Sequence, residues 1–291
     1  MTEDLSRPAT PEQQPDEPGQ QQPAAGALER EQAMPHTAVS LAADLRALGL
    51  AAGDTVLVHA ALRSLGFVAG SAHAVVLALL DVLGPEGTLV VPTHTSYNSD
   101  PAGWSNPPVP ESWWPVIRRE NPGFDPVLSL SRWMGVLAET VRTWPGAMRS
   151  SHPQVSFAAL GARAAEIVGT HPVEDELGDG SPLGAVYRLG GKVLLLGCGH
   201  ANNTSLHLSE CRQEQPKMDA NGAAVRDVDG VVRWVTWTAP ATDSGDFAEL
   251  GAAFDVVGPV AMGKVGNATA RLMPQRDLVD FGVGWIREHR R

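Results

Sequence analysis

Residues 53–93 read GDTVLVHAALRSLGFVAGSAHAVVLALLDVLGPEGTLVVPT, and the architecture follows from this stretch. It begins and ends on the same device: a glycine, a short run of β-branched residues and leucine, then a polar end, at Gly53 to His59 and again at Gly87 to Thr93. Continuous apolar runs of this length suit strands covered on both faces. Between them Ser71 to Leu83 has helical composition, with Ser71 expected as N-cap and Gly84 as the stop. Strand, helix and strand in that order predict parallel neighbours in an α/β sheet. Gly191 to Gly197 repeats the strand design and adds a third member.

Working outward, Val39, Leu41, Leu45, Leu48 and Leu50 fit an amphipathic first helix. Residues 1–34 are rich in Pro, Gln, Glu and Ala without apolar periodicity, and read as a disordered tail. Residues 35–291 read as a single domain. Val231 to Trp237 alternates as a strand, with Val232, Trp234 and Thr236 set against Val231, Arg233 and Val235. Asp277 to Arg290 is helical in composition despite Gly282 and Gly284. Pro101 to Pro126 breaks every period: it is proline-rich, carries Trp104, Trp113 and Trp114, and is expected to form an ordered wall.

Composition narrows the function. No apolar run reaches the roughly 18–20 residues of a membrane span, and the polar N-terminus is no secretory signal. Two cysteines, Cys198 and Cys211, make no disulfide framework, so a cytoplasmic protein is expected. A formal net charge of −11 argues against nucleic acid and permits a cationic ligand.

Ligands of open α/β sheets sit beyond the carboxyl ends of strands. Here those ends carry His59 with Arg63 and Ser64, Thr93 with His94 and Thr95, and Cys198 with His200 and Asn202. After the third strand, Asn202, Asn203 or Thr204 can cap a helix on which Thr204, His207 and Glu210 share one side. His207 near a helix start is kept neutral, as a general base must be. Glu210 can orient its ring, and Thr204 can donate to a developing oxyanion. The same pattern also describes a capped helix with an ordinary surface His–Glu pair. Cys198 is a rival nucleophile for covalent acyl transfer, although a cysteine at a strand end is more often a small buried residue. His200 and His207 do not share a helical face, and no zinc spacing occurs, so no metal is expected.

Two turns suit a phosphorylated ligand. Arg63, Ser64, Leu65 and Gly66 lead into the helix near Ser71 and offer an anion seat, without a Walker or dinucleotide pattern. Arg149 to Ser156 is a polar loop in which Arg149 can meet a phosphate and hydroxyls such as Ser151 and Ser156 can hold amides. The turn Leu177 to Leu183 ends at another helix start.

Taken in order, these segments resemble the aminoglycoside 3-N-acetyltransferase family. The resemblance is carried by His59 to Gly66, Gly87 to Pro92, Arg149 to Pro153, Gly180 to Pro182, Leu189 to Gly197 and Asn203 to Glu210, then by Gly263 to Gly266, Arg271 and Asp277. It implies a single-domain mixed α/β sheet flanked by helices, and direct acetyl transfer from acetyl-CoA as cosubstrate, without a metal. The acceptor it implies is a cationic aminoglycoside, acetylated on the 3-amino group of 2-deoxystreptamine, and the outcome antibiotic resistance. A monomer or homodimer is expected. The resemblance makes His207 the base, with Glu210 its carboxylate partner. It places Ser64, Leu65 and Gly66, with the Arg149 to His152 loop, on the coenzyme side, where Arg63, Thr93 and Ser156 adjoin. It places Asp243 near the antibiotic, with Asp100, Asp246 and Glu249 as further acids of that wall. The wall at residues 101–126 departs from the family pattern and leaves another amine natural product open as acceptor. The rivals are a Cys198-based ping-pong acyltransferase and a non-catalytic coenzyme-binding module.

Overall fold

A computed structural model describes residues 34–290, so the tail assigned to residues 1–34 lies, save for Met34, outside the described residues. Strand β1 (Thr55–Ala60) pairs in parallel with β2 (Thr88–Pro92) on one side and with β5 (Lys192–Leu196) on the other. Helix α2 (Ser71–Leu83) makes the crossover between β1 and β2. The three glycine-led runs are therefore the parallel centre of the sheet, as their sequence predicts. Antiparallel strands complete it: β4 (Phe157–Gly161) and β3 (Met148–Arg149) beyond β2, β9 (Ala268–Pro274) and β8 (Ala261–Val265) beyond β5.

Side chains alternate across the pleat, and each central strand feeds both faces. Val56, Val58, Leu89, Val91, Leu194 and Leu196 pack under α1 (Ala38–Leu48), α2 and α4 (Gly135–Arg142). Leu57, Val90, Val193 and Leu195 face the opposite way. They are covered by α5 (Ala164–Val168), α6 (Pro182–Arg188), α7 (Ser205–Cys211), α8 (Phe247–Val257) and α9 (Gln275–His289). This covering on both faces is why the runs are continuous rather than alternating. Gly282 of α9 is a close-approach residue, since a Cβ there would lie 2.5 Å from Ser209 Oγ of α7.

Two local expectations are corrected and two are extended. Ser71 is the first residue of α2 and not its cap; Gly70, at φ +90°, is the cap position, and Ser71 itself sits at φ +51° without a capping bond. Val39 lies on the solvent side of α1, while Leu41, Leu45 and Leu48 face the core; Thr37 and Ser40 close a capping box ahead of them. The Val231 to Trp237 strand is observed as β7 (Val232–Pro240), outside the main sheet. It pairs only with β6 (Met218–Arg226) in a separate hairpin, the setting in which alternation belongs. The tryptophan-rich wall includes a short helix, α3 (Trp114–Glu120), tied by the Arg118–Asp100 ion pair, and Phe124 donates its N–H to Ala224 of β6. Among the described residues no helix is long and apolar enough to cross a membrane.

Candidate active site

Because β1, β2 and β5 run in parallel, their carboxyl ends meet at one rim, and a cavity of about 350 Å3 opens there. Its lining includes His59, His94, Trp133, Cys198, Thr204 and His207. His207 Nδ1 lies 2.6 Å from Glu210 Oε2, one turn along α7. That contact puts the Nδ1 proton on the carboxylate side and leaves Nε2 unpartnered among the described residues. The ring packs on Phe247, with centroids 4.8 Å apart. Glu210 is itself fixed: its side chain is 4% exposed, and Oε1 accepts from the Asp243 N–H at 2.9 Å and from Arg290. Arg290 also binds Asp246, so one guanidinium ties two carboxylates, holding the Asp246 carboxyl below its ordinary range.

The first turn of α7 is anchored from two sides. Thr204 is the cap position but its side chain caps nothing; Asn203, just before it, accepts from the Ser205 N–H through Oδ1. The Thr204 N–H donates to His59 Nε2 at 3.4 Å. His59 must therefore be neutral; burial, and then His207, pull its pKa down to about 4. Thr204 lines the cavity, and its hydroxyl has no protein partner among the described residues. Cys198 also lines it, but burial pushes its thiol up to about 11, so it is protonated at neutral pH.

Burial lowers three more imidazoles, His94 and His152 to about 3 and His171 to about 4. In the unfolded chain each titrates near 6.5, so between that value and the folded ones the unfolded state binds more protons. Stability is complete above about pH 6.5 and falls on acidification, at up to about 1.4 kcal/mol per pH unit for each histidine. Glu176, whose pKa burial raises, works in the opposite sense at acidic pH. We expect the melting temperature to be level above pH 7 and to drop steeply towards pH 5. A midpoint unchanged over that interval in a pH-series scan would contradict the burial of these rings.

The other sequence-derived candidates divide. Ser64 is exposed, and its hydroxyl donates to Ala61 O at 2.6 Å. It lines a second groove, of about 420 Å3, with Gly197, Thr269 and Arg271, which shares Cys198 with the first. Gly197 permits this, since a Cβ would fall 1.7 Å from Ser64 Oγ. Leu65 is core, leaving only its backbone to the turn; Gly66 closes the turn at φ +84°, and Arg63 is exposed beside it.

Thr93, Arg149, His152 and Ser156 are not brought to the cavity. Arg149 donates to Thr93 Oγ1, Thr93 O and Ser156 Oγ, and to the carbonyls of Pro126 and Ser129, so its hydrogen bonds close within the protein. His152 is fully buried and accepts from the N–H groups of Gln154 and Val155. Ser151 is exposed on the same loop and lines neither cavity. Arg149, with Thr93 and Ser156, staples the wall to the end of β2, and His152 holds its own loop, roles that loop composition alone does not distinguish from ligand binding. Asp100 is bound to Arg118, Asp246 to Arg290, and Glu249 is exposed on the first turn of α8. Asp243 is exposed next to Ser244, which lines the cavity.

Sequence reasoning missed two residues, Trp133 and Arg290, whereas His59 and His94 stand at strand ends that the sequence already places at the expected ligand rim. Trp133 lay outside any period, and Arg290 meets Glu210 across a separation of 80 residues that no local pattern encodes.

Comparison with known proteins gives a consistent picture. A family profile described as aminoglycoside 3-N-acetyltransferase matches residues 57–287. The SPbeta prophage-derived aminoglycoside N(3')-acetyltransferase-like protein YokD of Bacillus subtilis is 41% identical, over 87% of this chain and 93% of its own. Its crystal structure superposes with a TM-score of 0.87, covering 89% of this chain and 96% of that one. Aminoglycoside N(3)-acetyltransferase VII of Streptomyces paromomycinus is 38% identical over 87% and 92% of the two chains. The structure of AAC-IIIb in binary complex with CoASH gives a TM-score of 0.78 at 32% identity, over 88% and 97% of the chains.

Proposed function

The chain belongs to the aminoglycoside 3-N-acetyltransferase family, and on that premise we propose that it transfers the acetyl group of acetyl-CoA to an aminoglycoside amine, the 3-amino group of 2-deoxystreptamine. The consequence for a cell is resistance to the antibiotic. One observation carries the reading: a histidine bonded through Nδ1 to a buried carboxylate, with Nε2 unpartnered at the wall of a cavity where strand ends converge.

The chemistry follows from that arrangement. The acceptor arrives as an ammonium, because free alkylamines are protonated near neutral pH. His207 Nε2 accepts one of its protons, directly or through water, and Glu210 stabilises the imidazolium that forms. The freed amine attacks the thioester carbonyl and the Thr204 hydroxyl faces the developing oxyanion; collapse breaks the C–S bond, and the proton shed by the new amide nitrogen goes to the departing sulfur, which leaves as the thiol. Ser64 and the Arg63 to Gly66 turn, with Arg271 in the same groove, are the residues we assign to the coenzyme. Asp243 holds a second ammonium of the polycation, and Glu249 adds to the same acidic approach. A cytoplasmic monomer or homodimer is the working assembly.

The covalent route through Cys198 is disfavoured by its protonated, half-buried thiol. Cys198→Ala is expected to lose about tenfold at most, from repacking. Initial-velocity lines should intersect when both substrates are varied, and mass spectrometry of enzyme with acetyl-CoA alone should show no adduct. Parallel lines with an acetylated Cys198 would replace direct transfer by a ping-pong mechanism. The decisive assay is thiol release from acetyl-CoA over a panel of amines; a chain that binds the coenzyme and releases no thiol with any of them is not this enzyme.

A further inference from the structure

Trp133 lines the cavity that holds His207, yet its residue remains 63% exposed. Its backbone lies at φ +68°, a region that bulky side chains rarely enter. The turn is held in place from several sides. The Ser131 N–H donates to Glu139 Oε1 at 2.6 Å, and the Arg132 N–H donates to His94 O at 2.8 Å. Gly135, at φ +82°, then opens α4. The surroundings over-determine a costly conformation, and burial of the indole is not what they gain by it. Placing a large aromatic surface at the cavity mouth is.

One face of that surface is already used. The Arg132 guanidinium carbon lies 4.8 Å from the ring centroid. A cation on one face weakens the attraction of the ring for a second, so the opposite face suits the C–H face of a neutral ring better than an ammonium. The groove assigned to the coenzyme meets this cavity at Cys198, and Trp133 does not line it.

We propose that Trp133 is a specificity-determining residue: its free indole face is the platform for a sugar ring of the acceptor, and so selects which amine reaches His207. The inference rests on the acetyl-transfer reading above and assigns a division of labour within it. Acidic residues recognise the charges of the acceptor, and Trp133 fixes the plane of its ring.

Trp133→Gly tests this, because glycine adopts a positive φ without strain. The melting temperature should stay level or rise, while the KM for an aminoglycoside in the thiol-release assay rises about tenfold or more. The KM for acetyl-CoA should stay within about twofold, Trp133→Phe should recover most of the loss, and a linear monoamine should react at the wild-type rate. Trp133→Asn, which also tolerates this backbone region, gives the same reading if the glycine variant does not fold. An unchanged aminoglycoside KM in a folded variant, an equal rise for acetyl-CoA, or an equal loss with the monoamine would overturn the platform. A wild-type enzyme that releases no thiol with any aminoglycoside would overturn the acetyl-transfer reading instead.

Discussion

His207→Ala is expected to lower turnover with acetyl-CoA and an aminoglycoside by about two to four orders of magnitude, with the melting temperature close to wild type. The ring is the group at this rim that combines an oriented Nδ1, a free Nε2 and a place on the cavity wall. The other imidazoles cannot stand in for it. His59 spends its Nε2 lone pair on the Thr204 N–H, and burial holds His94 neutral with so low a pKa that it is a poor proton acceptor. The fold should survive, because His207 contributes one edge of a packed pair with Phe247 and bridges no two strands. A folded alanine variant with wild-type turnover would remove His207 from the mechanism.

Glu210→Gln should follow closely, with kcat lowered by about ten- to a thousandfold. The amide keeps the shape of the carboxylate but cannot stabilise the imidazolium that forms when His207 takes its proton. Its single NH2 must face either the Asp243 N–H and Arg290, which are donors already, or His207 Nδ1, where it favours the tautomer protonated on Nε2 that cannot act as the base. That mismatch in a side chain 4% exposed is expected to cost about 1–3 kcal/mol of stability as well. Steady-state kinetics and a thermal scan on one preparation separate the two effects. Full turnover with a lowered melting temperature would make Glu210 a structural partner of Arg290 and no part of the chemistry.

The parallel centre of the fold is legible because its signal is local: a glycine, an apolar run and a polar end, repeated at β1, β2 and β5. The catalytic pair is legible for the same reason, since positions three apart on one helix must meet. What the sequence hides is set by long-range packing. The antiparallel flanks β4, β8 and β9 carry no run as distinctive as the centre, and β7 alternates as a main-sheet edge strand also would. Arg149 and His152 look identical in sequence whether they grip a phosphate or a neighbouring carbonyl. Only the closing of the wall onto the end of β2 decides between the two.

The wall has a consequence for how such a protein can diverge. Everything that performs the proposed proton transfer hangs from β1 and β5 or the helix after them, while the chain between β2 and β3 pairs with neither strand. Ahead of α4, whose Leu137, Ala138 and Val141 lie in the core, it is fastened at a few points, among them the Arg149 bonds to the carbonyls of Pro126 and Ser129, the Phe124 N–H to Ala224 and the Arg132 N–H to His94. Between such fasteners the segment can lengthen, shorten or exchange residues at the modest entropic cost of a longer loop. Selection by a new antibiotic can therefore rewrite this segment while the reaction machinery is inherited untouched, and substrate range can drift faster than chemistry.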